Sequence, residues 1–115
     1  MGTISTSKTG RLIRALDDLS GATRQELTLS QALLFFHVAR AGSAGTDQGA
    51  LADATGLSPA AVSRTVRILG GIHYSKRHAG YGLMETQLDP ADNRRRIVRL
   101  TSAGTALAED VLNQL

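Results

Sequence analysis

The spacing of apolar residues in the N-terminal third of the chain predicts two helices. The first begins near Ser7 or Thr9, either of which can cap it, and ends near Gly21. Four residues at the helical period form its apolar face: Leu12, Ile13, Leu16 and Leu19. The second helix begins after Ser30 and ends at Gly42. It is apolar on most sides, so we expect it at the centre of the fold.

Two shorter helices follow, joined by a glycine turn. The first spans roughly residues 47–55. The second has Ser58 as its cap and Pro59 at its first position, where proline is favoured. Its core face is formed by Val62, Val66 and Leu69.

The pattern changes after Gly70, where the periodicity of a strand replaces that of a helix. Residues 83–88 and 94–100 predict the two strands of a hairpin, with a turn cluster at residues 89–93. Thr101 or Ser102 then caps a last helix. Its apolar positions are Leu107, Val111, Leu112 and Leu115. The predicted fold class is mainly α with a small β-hairpin (α+β), in a single domain over residues 1–115.

Residues 51–69 meet the requirements of a helix-turn-helix. Apolar residues at Leu51, Leu57 and Val62 can hold two helices at a fixed angle. Ala52 is small where the helices approach, and Gly56 tolerates the positive φ of the turn. These requirements coincide, which favours a helix-turn-helix over two helices that merely share a glycine turn.

The second helix of this motif leaves a side of short and basic side chains free to enter a major groove of DNA. The candidate DNA contacts on it are Ser58, Ala60, Ala61, Ser63, Arg64 and Arg67. Short side chains permit close approach, and the two arginines can reach guanine edges or phosphates.

The predicted hairpin adds a second group of candidate DNA contacts, formed by Arg94, Arg95 and Arg96. A two-stranded ribbon can direct arginines along the DNA backbone or into a narrow minor groove. Asp92 is placed to orient one of them by a charge-assisted hydrogen bond. A surface hairpin with paired charges explains this feature equally well when it is taken alone. Next to a helix-turn-helix, the DNA interpretation is favoured.

The positive charge is concentrated in one third of the chain, as in a polyanion-binding face, and a solvated basic surface explains the charge equally well when it is taken alone. The net charge of +3 divides into zero for residues 1–59, +5 for residues 60–101 and −2 for residues 102–115. The chain has no cysteine, which excludes disulfides, thiol catalysis and zinc fingers. It also has neither an apolar run of about 18 residues nor a signal-peptide pattern, so we expect a cytoplasmic protein that does not enter a membrane.

The helix-turn-helix and the hairpin together resemble the MarR-type winged helix-turn-helix transcriptional regulators. The hairpin is similar to that family's signature, which reads here Asp92-x-Arg94-x-x-x-Val98-x-Leu100-Thr101 after Gly82-Leu83-Met84-Glu85. The resemblance covers roughly residues 28–107. It implies a helix-turn-helix at residues 47–70 and a wing at residues 82–101, with Arg94 entering the minor groove. It also implies a homodimer in which the terminal helices, residues 1–21 and 102–115, interleave between two chains.

Two departures from the family pattern affect these expectations. Residues 70–81 are inserted between the recognition helix and the wing. They can extend that helix, form a loop that carries Tyr74, Lys76 and Arg77 to DNA, or form a plain flexible loop. The terminal helices are also short, which implies a small dimer interface. Relatives in the family often bind a phenolic or other small ligand between their lobes, and short terminal helices leave such an effector open here.

No catalytic motif appears in the sequence, and we predict no enzyme, cofactor or metal site. His37 lies in the most apolar helix and is expected to be a core residue. His73 and His78 lie five residues apart with no carboxylate close in sequence, which is weak support for a metal site.

The sequence therefore predicts a homodimeric, sequence-specific regulator that binds double-stranded DNA at a pseudo-palindromic site, and by family analogy a repressor. Two alternatives remain open. A winged-helix protein of replication initiation or genome partition would bind at an origin rather than a promoter. A winged helix that binds another protein would show a flat salt response with DNA.

Overall fold

The computed structural model describes residues 2–24, 26–71 and 80–115. Within them the helices are α1 (Thr6–Ala22), α2 (Leu29–Ala41), α3 (Gln48–Thr55), α4 (Pro59–Leu69) and α5 (Ser102–Asn113). The strands are β1 (Thr46–Asp47), β2 (Met84–Asp89) and β3 (Asp92–Leu100). We call the hairpin of β2 and β3 the wing. No helix among the described residues is long and apolar enough to cross a membrane.

The first helix is longer at both ends than its sequence predicts. Ser5 is its N-cap, and the Ser5 hydroxyl accepts the backbone N–H three residues on at 3.2 Å, so the predicted caps Ser7 and Thr9 lie inside the helix. Gly21 also lies inside α1, which ends at Ala22. A glycine inside an exposed turn of helix is tolerated at modest cost, and this is why it does not end α1.

The second helix begins with a capping box. The Thr28 hydroxyl accepts the Gln31 backbone N–H at 3.2 Å, and the Gln31 side chain accepts the Thr28 backbone N–H at 3.0 Å. This cap places the helix start at Leu29, slightly before the predicted start after Ser30. Gly42 ends the helix, as predicted.

A single core joins all five helices to the wing, with α2 at its centre as predicted. Leu34, Phe35 and Val38 of α2 are fully buried. The predicted core face of α4 is confirmed, because Val62, Val66 and Leu69 are buried too. The other buried apolar residues are Ala15 and Leu19 of α1, Leu51 of α3, Leu83, Met84 and Val98 of the wing region, and Leu107, Ala108 and Val111 of α5.

His37 is not the core residue that its helix suggested. It is half-buried, and its Nδ1 accepts a hydrogen bond of 3.1 Å from Nη2 of Arg40. The side chain lines a shallow cleft beside Thr46 and Ala50, at the side of α2 that faces α3. The prediction for His37 failed because α2 is apolar on most sides, so the sequence did not show that His37 and Arg40 lie on its polar side.

The wing belongs to a three-stranded antiparallel sheet of order β1-β3-β2. In β3, Val98 pairs with Thr46 of β1 on one side and with Thr86 of β2 on the other. The hairpin prediction missed β1, because a two-residue strand shows no alternation in the sequence. Both wing strands also reach further into the turn than predicted, β2 to Asp89 and β3 back to Asp92.

The two ends of the insertion at residues 70–81 lie next to each other and are joined by backbone hydrogen bonds. The Gly82 N–H donates to the Gly70 carbonyl at 2.9 Å, and the Leu83 N–H donates to the Leu69 carbonyl at 2.8 Å. The expectation that the insertion extends the recognition helix is therefore wrong, because α4 ends at Leu69 and the chain becomes extended at Gly70. The candidate DNA contacts Tyr74, Lys76 and Arg77 lie outside the described residues.

Tyr81 anchors the end of the insertion to the residues that follow α1. Its hydroxyl donates to the Thr23 carbonyl at 2.8 Å, and the Arg24 guanidinium lies 4.7 Å from the centre of its ring. The end of the insertion is thus connected to the end of α1.

The first turn of α5 contains a glycine, Gly104, at a position with no room for a side chain. Thr101 is its N-cap, and the Thr101 hydroxyl accepts the Gly104 N–H at 3.1 Å and donates to the Gly82 carbonyl at 2.6 Å. This cap presses Gly104 onto the backbone of Leu83, and a Cβ at Gly104 would overlap the Leu83 carbonyl group. The close approach fixes α5 against the base of the wing.

Replacing Gly104 with alanine should lower the free energy of unfolding by about 1–3 kcal/mol, because the methyl group cannot be accommodated without moving backbone. The matched control is Gly21→Ala in α1, where a Cβ meets nothing within 4 Å. That change should raise stability by roughly 0.4–1 kcal/mol. Urea unfolding of both variants at one protein concentration measures the difference. Equal shifts in the same direction would contradict the packing described for α5.

Candidate nucleic-acid interface

The turn between α3 and α4 depends on one glycine. Gly56 has φ +73° and ψ 5°, and its N–H donates to the Ala52 carbonyl at 2.9 Å. This left-handed conformation ends α3 and redirects the chain toward Ser58, which caps α4. Residues with a Cβ rarely adopt that conformation, so Gly56 sets the angle between the two helices.

The outward side of α4 presents most of the predicted contacts to solvent. Ala60, Arg64 and Arg67 are exposed, whereas Ala61 and Ser63 are half-buried. The Ser58 side chain is exposed at the start of the helix, and its hydroxyl accepts the Ala61 N–H at 3.1 Å. Across the part of the chain that the structure describes, neither arginine pairs with a carboxylate. Both guanidinium groups are therefore available to a ligand of opposite charge.

The tip of the wing holds Arg94, one of the predicted arginines. The side chain of Arg94 is 97% exposed and lies 3.8 Å from Asp92, measured from Nε to Oδ1. The stronger contact of Asp92 is with backbone, because the same oxygen accepts the Arg94 N–H at 3.0 Å. Asp92 thus shapes the turn and leaves the Arg94 guanidinium in solvent.

Arg95 is the arginine that carboxylates hold in place. Its Nε donates to Asp47 Oδ2 at 3.0 Å and its Nη1 donates to Asp89 Oδ2 at 3.1 Å. Asp92, the residue predicted to orient an arginine, makes the longer 3.8 Å contact with Arg94, whereas Arg95 is held by Asp47 and Asp89. No sequence signal indicated Asp47, because β1 brings it beside the wing from 48 positions away.

The hydrogen bonds that Asp47 and Asp89 accept lower the pKa values of both carboxyl groups. The pKa of Asp47 lies below its usual 3.8, chiefly because the carboxylate accepts the Ala50 backbone N–H and also the Arg95 side chain. The pKa of Asp89 is lowered by the Ala91 N–H first and then by Arg95. The two carboxylates in turn raise the pKa of Arg95.

A groove of about 530 Å³ separates α4 from the wing. It brings Ser63 and Arg67 of α4 opposite Thr86 and Arg96 of the wing, with Glu85 as its acidic residue. Gln48 at the start of α3 also lines it, a residue that no sequence signal indicated. The fold thus collects basic residues almost 30 positions apart onto one concave surface.

No family model matches the chain, and neither does any curated protein. Solved structures do match. The S. aureus MepR–DNA complex aligns with a TM-score of 0.71 and 21% identity, over 93% of this chain and 77% of MepR. The fold of this chain is the MarR-type winged helix. MarR itself aligns with a TM-score of 0.61 and 21% identity, over 94% of this chain and 69% of MarR.

A third match is Bordetella bronchiseptica BpsR, whose DNA binding is regulated by 6-hydroxynicotinic acid. It aligns with a TM-score of 0.58 and 24% identity, over 98% of this chain and 78% of BpsR. The predicted winged-helix fold class is confirmed by these alignments. At such identities they establish the shared fold.

This MarR-type winged helix also has a cleft away from the basic groove. It has a volume of about 430 Å³ and lies between the end of α2, the end of β3 and α5. Arg99 and Glu109 line it, and the Arg99 Nε is buried with no hydrogen-bond partner. Within the described ranges, no cluster of three or more histidine or carboxylate side chains could hold a metal ion. A small-molecule effector stays a prediction from the sequence.

Substituting Arg95 with methionine should raise the pKa of Asp47 and of Asp89 toward 3.8, because one cause of their depression is removed. A depressed carboxyl pKa stabilises the fold above its unfolded value, and this stability is lost as the pH falls through the folded value. The wild type should therefore lose more stability below about pH 3.8 than Arg95→Met does. NMR titration of the carboxyl carbons measures both values, with Arg94→Met as control. Unchanged values in Arg95→Met would contradict the ion pairs.

Proposed function

We propose that this protein is a sequence-specific regulator of transcription that binds double-stranded DNA. The observation that carries the proposal is the pairing of two exposed arginines on α4, Arg64 and Arg67, with two on the wing, Arg94 and Arg96. Arg67 from α4 and Arg96 from the wing line the groove between them. A phosphate-binding surface needs basic groups that are available to the ligand. Within the described residues Arg64, Arg67 and Arg96 make no ion pair, and Arg94 has the 3.8 Å contact with Asp92.

In this proposal α4 is the recognition helix and lies in the major groove. Its N-terminal turn carries Ser58 and Ala60, which are short and exposed, so the backbone can approach base edges closely. Arg64 and Arg67 follow on the same exposed side and reach guanines or phosphates. The similarity of the fold to that of MepR, solved as a complex with DNA, supports DNA as the ligand.

The wing then contacts the neighbouring backbone or minor groove. Arg94 stands at its tip with its guanidinium in solvent, as an arginine that enters a narrow minor groove must. Arg96 lies two residues further along β3 and lines the same cleft as Arg94. Protein–DNA contacts of this kind position the complex, whereas base contacts from α4 specify its sequence.

A second copy of the chain completes the binding unit. Helices α1 and α5 pack on each other, and the Gln114 amide donates to Asp18 at 3.0 Å across them. Their outer sides nevertheless leave five large apolar side chains about half exposed: Leu12, Ile13, Leu16, Leu112 and Leu115. The predicted apolar face of α1 therefore turns mostly away from the core. Large apolar side chains left exposed on two packed helices are typical of a protein interface.

A homodimer would place two recognition helices in successive major grooves, about 10–10.5 base pairs apart. The matching DNA site is a pseudo-palindrome, because the two-fold axis of the dimer coincides with that of the site. A dimer bound across a promoter excludes polymerase and acts as a repressor. The proposed activity is binding alone, without catalysis.

Affinity for duplex DNA should fall by several powers of ten for each tenfold rise in salt, because each phosphate contact releases counterions. Arg94→Ala should lower affinity for all sequences and reduce the slope of log K against log salt by about one unit. Lys8→Ala, which removes one exposed positive charge from α1, is the control and should leave the slope unchanged. A flat salt response of the wild type would contradict DNA binding.

Arg67→Ala should act differently from Arg94→Ala if it reads a base. We expect the preference for one base pair of the site to fall by roughly 1–3 kcal/mol, with the preference at other positions kept. Competition between single-base variants of the site measures this loss. If Arg67→Ala weakens every site equally, Arg67 contacts the backbone and the assignment of base recognition to it is wrong.

Replacing Leu16 with aspartate should convert the dimer to a monomer, because a charge would lie in the middle of the apolar surface of α1. Leu16 is 52% exposed, so the fold of one chain should survive the change. Leu88→Asp is the matched control, since Leu88 is 53% exposed but lies on the wing. Sedimentation gives the mass of each variant. A Leu16→Asp protein with the wild-type mass would contradict this interface.

A further inference from the structure

The wing carries an ion-pair arrangement that spans all three strands of its sheet. Arg95 lies on the central strand β3, Asp47 on β1 and Asp89 on β2. Nε and Nη1 of one guanidinium each meet a carboxylate oxygen, at 3.0 Å and 3.1 Å. The carboxylate side chains are 30% and 15% exposed, and that of Arg95 is 47% exposed, so the group is partly shielded from water.

Arg95 differs from its basic neighbours in what its side chain binds. Arg94, Arg95 and Arg96 line one open cleft together with Asp47 and Asp92. Within the described residues, Arg95 is the one of these three arginines whose guanidinium hydrogen-bonds to carboxylate side chains. Arg96 lines the groove opposite α4, whereas Arg95 binds the residue that caps α3. Asp47 makes that cap with its other oxygen, which accepts the Ala50 N–H at 2.8 Å.

The backbone attaches the wing to the helix-turn-helix near the base of the hairpin, through strand β1 and through the pairing of Gly70 with Met84. Strand β1 contributes only Thr46 and Asp47 to the sheet. The link from Arg95 to Asp47 therefore joins the wing directly to the first residue of the helix-turn-helix, and the link to Asp89 joins it to the far strand. A guanidinium that bridges two carboxylates holds geometry better than a single exposed pair, because its donors form a rigid fork.

We propose that Arg95 is a positioning residue and not a DNA contact: bridged by Asp47 and Asp89, it fixes the wing against the start of α3. The fixed wing keeps Arg94 and Arg96 at a set distance from α4, as simultaneous contact with two grooves requires. The consequence for DNA rests on the proposed function, whereas the bridge itself does not. Arg95, which the sequence placed among the DNA contacts, thereby acquires a different role.

Removing a carboxylate distinguishes the positioning role from simple electrostatics, because the two explanations predict opposite changes in DNA affinity. Asp47→Asn and Asp89→Asn each remove a negative charge from the neighbourhood of the wing arginines, and Coulomb attraction alone would then strengthen DNA binding. The positioning role predicts the opposite, a loss of about two- to fivefold in affinity, as expected when one arm of a surface ion pair is lost. Asparagine still accepts the Ala50 and Ala91 N–H groups that the aspartates accept, so both turns are kept.

Asp92→Asn is the matched control for this pair of variants. Asp92 is also a wing carboxylate that accepts a backbone N–H, but its ion-pair contact is the distant one with Arg94. Its removal should raise DNA affinity or leave it unchanged. If Asp47→Asn and Asp89→Asn raise affinity as Asp92→Asn does, the positioning role is wrong.

The salt dependence of binding gives a second comparison. Arg95→Met should lower affinity and leave the slope of log K against log salt as in the wild type, whereas Arg94→Met should reduce it by about one unit. A slope reduced by one unit in Arg95→Met would make Arg95 a phosphate contact and overturn the proposal.

Hydrogen exchange of the free protein tests the bridge without DNA. Amides in the β1–β3 pairing, which joins Thr46 to Val98 and Asp47 to Ile97, should exchange faster in Arg95→Met and Asp47→Asn than in Arg94→Met. Equal exchange in all three variants would overturn the bridge. If the wild type binds no duplex DNA, the proposed function fails, and the exchange rates alone then decide whether Arg95 holds the wing.

Discussion

The structure depends on how one side of α4 packs against α2. Val62, Val66 and Leu69 bury themselves beside Leu34 and Phe35, and this burial fixes the rotation of α4 about its own axis. Residues on the opposite side of α4 therefore face solvent. The core thereby determines which side chains of the chain can meet DNA, and a change in the core would rotate the recognition surface.

The wing is attached to this core with much less buried surface. Val98 and Met84 are its fully buried side chains, and beyond them β3 runs into solvent toward Arg94. A hairpin of this kind is held at its base and free at its tip. The ion pairs of Arg95 lie between these regions, where a modest restraint has the greatest effect on the direction of the tip. This is the physical reason for expecting Arg95 to act on binding without contacting DNA.

Local chemistry made much of the fold predictable from the sequence. The cap at Ser58, the proline at Pro59 and the spacing of Val62, Val66 and Leu69 defined α4 from end to end. What could not be predicted depends on neighbours distant in sequence. Strand β1 exists only because β3 offers it partners, and Asp47 finds Arg95 only through that strand. The exposure of Leu12 and Leu16 likewise depends on which side of α1 meets α5, which a helical period alone does not decide.

The central claim is that one surface of a two-fold symmetric dimer reads a DNA sequence. Selection of bound sites from a pool of random duplexes, with the full chain at moderate salt, tests it most directly. We expect an enriched inverted repeat whose half-sites lie about 10–10.5 base pairs apart, because two α4 helices enter successive major grooves. A pool that retains random sequence after repeated rounds would contradict it.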